Sequence, residues 1–382
     1  MTSRVKSKNI LYVSNKGGFF GGVERFIYNT ASALESDNYN IFGMFDDQEK
    51  EFETFCRPFK KVFSFDDQDE VCAGEYDTVF IHKLDNAPLI RKLNSKFKTV
   101  VYVHDHDYYC RRRHKYFPVK RINCPLPEKN AYCLLCSLFG KNDQGELCFN
   151  WNRNYSKVLK EIRKCDRFVV MSEYMRDNLT MNGILRENVK KLYSIVDTPS
   201  QSLGEKTFRN PPVITATGQL IAGKGFDLLI DALSKLEFDF KAYIVGGGKD
   251  EKYLRDLSAQ NGLQGCIEFT GWKNDVAEYY LKSDIAVFPS RWQEPFGLTG
   301  VEAAAFGLPV VGFDVGGVSE WLRSYDNGIL VPPADTEAMA AAITEMVEFP
   351  DKAIGFGRKG REFVETEFSM EKFIRSFEEI IC

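Results

Sequence analysis

Apolar residues come in short blocks along this chain, separated by polar stretches rich in glycine, and two periods alternate. Residues 10–14 (ILYVS) read as a buried strand, followed by a glycine loop over 15–23 and a helical pattern from about residue 24 to residue 34. Further strand-like runs follow at 40–45, 78–82, 99–104 and 167–172, with helical spacing between them at 86–93 and 154–164. The pattern restarts at 213–217 with a strand, a loop over 218–226 and a helix over 227–236. Strands at 242–245, 267–272, 284–290 and 309–313 follow, with a helix at 298–306. The last apolar set, Phe373, Ile374, Phe377, Ile380 and Ile381, has helical spacing. Strands alternating with helices predict parallel sheets covered on both faces, an α/β chain.

Residues 194–210 break the alternation. They are polar and carry Pro199 and Gly204, with Pro211 and Pro212 just beyond, so the boundary is set between residues 1–198 and 199–382. Each half opens with strand, glycine loop and helix, the start of a Rossmann-like unit, and ligands of such sheets lie at the carboxyl ends of strands. A length of 382 residues fits two domains of about 150 residues or more.

The net charge of −4 argues against a general nucleic-acid binder. No apolar run approaches the roughly 18 residues of a membrane span. Arg4, Lys6 and Lys8 precede only the apolar run 10–13, which reads as a first strand and not a signal peptide. The expectation is therefore a cytoplasmic protein, in whose reducing surroundings ten cysteines are free thiols or metal ligands.

The chemistry concentrates in residues 290–318, SRWQEPFGLTGVEAAAFGLPVVGFDVGGV. Glu294 stands on the loop before a helix and Glu302 about a turn inside it. Between them Pro295 presets the turn, Gly297 lets a ligand approach, and the free N–H groups opening the helix face an anion such as a phosphate. A sugar joined to a nucleotide offers phosphates between two sets of hydroxyls. In the first glycine loop the order Gly17-Gly18-x-x-Gly21-Gly22 has the wrong offset for a dinucleotide fingerprint, so a nicotinamide enzyme and a redox cofactor are disfavoured. His82 and His104 fall at strand ends, the second beside Asp105, His106 and Asp107.

Two further features lie between about residues 105 and 150, read as a cysteine-rich insertion. Arg111, Arg112, Arg113, Lys115, Lys120 and Arg121 stand in a stretch with no acidic residue, either a solvated loop or a surface for anionic lipid or an acceptor phosphate. Cys133 and Cys136 form a C-x2-C pair, which Cys110 and Cys124 could complete as a structural zinc site. Cys148, His106 and His114 are substitutes, an iron–sulfur cluster is the second occupant, and free thiols are the alternative.

The 290–318 stretch, with its E-x7-E spacing, resembles the family 4 glycosyltransferases, a retaining group. The resemblance implies a GT-B fold: two facing Rossmann-like domains with the last helix crossing back onto the first. It implies transfer of a sugar from a nucleotide-sugar donor to an acceptor hydroxyl, in bacterial polysaccharide or glycolipid synthesis. It puts Glu294 on the donor sugar and Glu302 on the ribose, with Phe296, Gly297 and Leu298 at the diphosphate. Gly18, Gly21 and Gly22 match the loop near the donor diphosphate, and His104 ends the strand whose histidine reaches the reacting centre. Lys224 matches the lysine that neutralises the leaving diphosphate, but Gln219 stands where the family carries arginine. Gly247 lies on the strand to the nucleotide, and Gly271, Trp272 and Lys273 frame the base. A nucleotide-sugar 2-epimerase and a non-catalytic relative are the alternatives. The acceptor stays open between a glycan, a lipid-linked and a small molecule, as does peripheral contact with an anionic membrane at the inner membrane face.

Overall fold

The computed structural model describes residues 7–19, 21–35, 38–48, 51–117, 122–128, 133, 136–137, 139–141, 147–149, 154–199 and 207–382. Arg4, Lys6, Pro118, Lys120, Arg121, Gly145 and Gly204 lie outside them. The chain forms two compact units, Met1–Ile195 with Met370–Cys382, and Val196–Ser369.

In the first unit seven parallel strands lie in the order Val189–Lys191, Arg167–Val170, Thr99–Tyr102, Thr78–Ile81, Lys8–Gly17, Tyr39–Gln48, Lys61–Phe63. The central strands Thr78–Ile81 and Thr99–Tyr102 are buried at every position, as strands covered on both faces require. The first strand runs on to Gly17, beyond the apolar run, because its pairing with Tyr39–Gln48 continues through Lys16 with Asp47 and Gly17 with Gln48. The helix Gly22–Leu34 follows. The terminal helix Met370–Ile381 belongs to this unit. Its Phe377 stacks on Phe80 at 5.1 Å and meets the edge of Tyr39 at 5.9 Å between ring centroids.

In the second unit six parallel strands lie in the order Ile267–Gly271, Lys241–Val245, Val213–Thr217, Ile285–Phe288, Val310–Phe313, Gly328–Val331. By chain position this is 3-2-1-4-5-6, with the order reversing between Val213–Thr217 and Ile285–Phe288. The first sheet reverses likewise between Lys8–Gly17 and Thr78–Ile81. Among the described residues no helix is long and apolar enough to cross a membrane.

Because Phe377 is fully buried against the first sheet, Phe377→Ala should destabilise that unit by about 3–5 kcal/mol. Hydrogen exchange should report it as faster exchange in Thr78–Ile81, with Val213–Thr217 unchanged. Equal acceleration in both strands would show that the helix is not specific to the first sheet.

Candidate active site

At the reversal in the second sheet two loops leave the adjoining strands and bond to each other. The backbone N–H groups of Arg291 and Trp292 both donate to Gly223 O, at 3.0 and 3.2 Å. Gly225 has φ +69°, and a Cβ there would stand 1.9 Å from Pro289 O, so only glycine lets the loops close this far. Beyond it the helix Phe226–Leu233 begins, and Arg291 clamps its first turn through Asp227, Nη2 to Oδ2 2.6 Å.

Lys224 and Glu294, seventy residues apart in sequence, meet here with Nζ to Oε1 at 2.7 Å. Ser290 Oγ also donates to Oε1 of Glu294. Lys224 lies at the positive end of a helix, where a cation is disfavoured, and the buried Glu294 carboxylate offsets that. The Glu294 loop is held from behind. Gly317 N–H donates to Glu294 O at 2.8 Å, and at Gly316, φ +60°, a Cβ would come within 2.1 Å of that oxygen. Gly297, also left-handed, has no side chain to cap the helix Leu298–Ala305. Glu302 lies half-buried in that helix, and its charge helps push the buried Tyr280 phenol upward, after burial itself.

The other donor-side candidates separate into surface and core. Gln219 is exposed on the loop that bonds through Leu220 N–H to Gly247 O, 2.9 Å. Trp272 is 63% exposed beside Gly247, an indole turned to solvent and not to the core. Phe296 is buried, its ring 5.7 Å from Phe368 and its carbonyl bonded to Trp321 Nε1 at 2.7 Å, so its side chain is a core group. Leu298 is half-buried at the helix start. Sequence reading singled out neither Ser290 nor Arg291 nor Asp227. Their only signal was position, Ser290 four residues before Glu294 and Asp227 three after Lys224.

In the first unit the strand ends at the reversal carry His82 and, one strand over, His104. His82 Nδ1 and His104 Nε2 are 2.9 Å apart. Burial pushes His82 down to about 3. His104 is also held well below the usual histidine range, first by burial, then by His82 and Lys83. Lys83 pairs with Asp105 and with Asp107 at 3.1 Å, and Arg113 reaches Asp107 at 3.3 Å. Burial, then Asp105, raises the Asp107 carboxyl. His106 is committed to Tyr109, Nδ1 to the hydroxyl 2.9 Å. Gly18 is buried with φ +110°, while Gly21 and Gly22 open the first helix.

The basic stretch turns inward in its described part. Arg111 pairs with Glu128 at 2.8 Å, Arg112 donates to Cys136 O, and Lys115, 2% exposed, donates to Leu126 O at 2.6 Å. Arg113 stays on the surface and pairs with Asp107, and Lys120 and Arg121 lie outside the described residues. Among the described residues no three His, Cys, Asp or Glu side chains are grouped to hold a metal ion. Cys110, Cys124, Cys133 and Cys136 are half-buried free thiols, so as described they do not form the tetrahedral set that their spacing suggests. Burial lowers the Lys115 ammonium, and Cys124, Cys110 and Cys133 oppose that shift. The side chain of Cys148 lies outside the described residues.

Residues 200–363 match the family of glycosyl transferases group 1. The chain is similar to the lipopolysaccharide core biosynthesis glycosyltransferase LpsE of Rhizobium meliloti, 27% identical over 49% of this chain and 52% of the relative. It is similar to N-acetyl-alpha-D-glucosaminyl L-malate synthase of Bacillus anthracis, 30% identical over 59% of this chain and 54% of that one. The chain spans about half the length of these curated relatives. Among solved structures, Anabaena Alr3699/HepE in complex with UDP superposes with a TM-score of 0.73 at 18% identity, over 97% of this chain and 98% of that one. That likeness shows the fold, GT-B.

His82 sets a pH dependence. Its folded-state value, about 3, lies below that of an unfolded histidine, roughly 6.5. The unfolded chain therefore binds more protons in between, and stability falls as pH falls through that window, by up to about 1.4 kcal/mol per pH unit for one such group. His104 acts in the same direction. Urea midpoints of the first unit at pH 7 and pH 5 should show the loss, and His82→Leu should reduce the slope. An unchanged slope in that variant would mean that His82 is not buried as a neutral ring.

Proposed function

We propose that this chain, whose residues 200–363 belong to the group 1 glycosyl transferases, moves a sugar from a nucleotide-sugar donor to an acceptor hydroxyl with retention of anomeric configuration. The observation that carries the reading is the 2.7 Å contact of Lys224 with Glu294 at the reversal of the second sheet. A sugar diphosphate presents anionic oxygens next to hydroxyls, and a cation next to a carboxylate is the complement of that pair. Lys224 neutralises the diphosphate as it leaves. Glu294 already receives Lys224 and Ser290 on Oε1, and its Oε2 accepts a sugar hydroxyl. The N–H groups opening Leu298–Ala305 take a phosphate oxygen. Glu302 receives the ribose hydroxyls, and Gly247 and Trp272 flank the base. Gly18, Gly21 and Gly22 approach the diphosphate as backbone, and His104 serves the sugar or acceptor side. The acceptor's proton passes to the leaving phosphate oxygen, so the protein's part is positioning and charge stabilisation.

The product belongs to a bacterial polysaccharide or glycolipid, a reading supported by the Rhizobium relative, a lipopolysaccharide core biosynthesis glycosyltransferase. The reaction is placed in the cytoplasm, in keeping with the nine described cysteines, all free thiols. A second reading, a binding protein without turnover, is favoured by Gln219. That exposed amide donates a hydrogen bond but brings no charge to the diphosphate.

A thermal-shift screen with UDP-, GDP- and ADP-sugars should find one donor that stabilises the chain by mass action. In transfer assays with that donor, Lys224→Ala and Glu294→Gln should each lose about 2–4 kcal/mol of transition-state stabilisation, about 30- to 1,000-fold in rate. Glu302→Ala should weaken donor binding with a smaller effect on turnover. Near-wild-type transfer by folded Lys224→Ala and Glu294→Gln would overturn the assignment. Donor binding without transfer or donor hydrolysis would favour the second reading.

A further inference from the structure

His82 is 1% exposed and sits among aromatic rings. Its ring centroid is 4.8 Å from Tyr12 and 5.9 Å from Tyr102. Tyr102 donates its proton to Leu192 O at 2.8 Å, and among the described residues neither phenol is hydrogen-bonded to the ring. His82 therefore makes one side-chain hydrogen bond, Nδ1 with His104 Nε2 at 2.9 Å, and its buried Nε2 has no partner among the described residues.

Two neutral imidazoles share one proton in such a bond, and there are two ways to place it. If His104 Nε2 is the donor, His82 must carry its own proton on Nε2, a buried N–H with no acceptor. If His82 Nδ1 is the donor, the orphan on Nε2 is only a lone pair. A buried donor left unsatisfied is the costlier and rarer case. The low proton affinity that burial gives both rings excludes a shared positive charge near neutral pH.

We infer that His82 is a positioning residue that donates from Nδ1 to His104 Nε2 and so holds His104 in the tautomer with its proton on Nδ1. His104 then meets a ligand through Nδ1 as a hydrogen-bond donor. The chemistry it selects is an oxygen with a free lone pair, a sugar hydroxyl or a phosphate oxygen. Its one basic nitrogen is occupied by His82, so His104 is not the base that deprotonates an acceptor. This consequence rests on the transferase reading above, but the tautomer does not.

The test is nitrogen-15 NMR of histidine-labelled full-length protein at pH 7. The chain has four histidines, so single substitutions assign the ring signals. The wild type should show His104 protonated at Nδ1 and bare at Nε2. In His82→Leu, His104 should become a mixture of tautomers. In His82→Asn, whose amide N–H stands near the lost Nδ1–H, the wild-type pattern should return. With the donor found by the thermal screen, His82→Leu should lower kcat by about tenfold, with a smaller change in donor KM, and His82→Asn should recover part of the loss. A wild-type spectrum with His104 protonated at Nε2, or a His104 pattern unaltered by His82→Leu, would overturn the inference. The wild-type spectrum decides even if a variant fails to fold. An expected spectrum from a protein that transfers no sugar would instead remove the proposed function and leave the tautomer standing.

Discussion

Where strand order reverses in a parallel sheet, successive crossovers leave toward opposite faces, and ligands of such sheets bind at the strand ends there. In this chain the loops after the adjoining strands bond across that point. Both sheets of this chain contain one such reversal, and their chemically loaded residues gather at it. In the second unit it brings Gly223 and Lys224 against Ser290, Arg291 and Glu294. In the first it brings Asn15 to Lys83, N–H to carbonyl oxygen at 2.6 Å, with His82 and His104 beside them.

The two strand-end sites treat charge differently. In the second unit a cation and a carboxylate face each other with the carboxylate nearly dehydrated. Removal of one partner would leave the other uncompensated. In the first unit burial removes charge: both histidines are held neutral, and the acidic groups nearby are matched by Lys83 and Arg113. One site thus holds neutral rings and the other a paired cation.

The interior of the fold was legible in the sequence because its signals are local. Val213–Thr217 and Met370–Ile381 lie where apolar periodicity put them, since a buried strand or an amphipathic helix shows its period within a few residues. Three short edge strands were not legible. Lys61–Phe63, Val189–Lys191 and Gly328–Val331 span three or four residues, too few to show a period, and exist because a neighbouring strand offers its hydrogen bonds. The contacts of the basic stretch were not legible for a related reason. Composition shows that Arg111 and Lys115 are cations, but not that Glu128 and Leu126 O are close enough to receive them.

The sequence by itself determined the α/β class, the E-x7-E loop with its glycine turns, and the identities of the residues proposed to hold phosphate and sugar. Each is written in neighbouring positions, where backbone preference and spacing act directly. Only the tertiary structure decided which of these groups touch. Lys224 meets Glu294 across seventy positions, and His82 meets His104 across twenty-two. Those contacts depend on strand order and crossover, which place distant segments side by side. Burial decided the rest, because a ring or carboxyl group changes its proton affinity only after the whole sheet has closed over it.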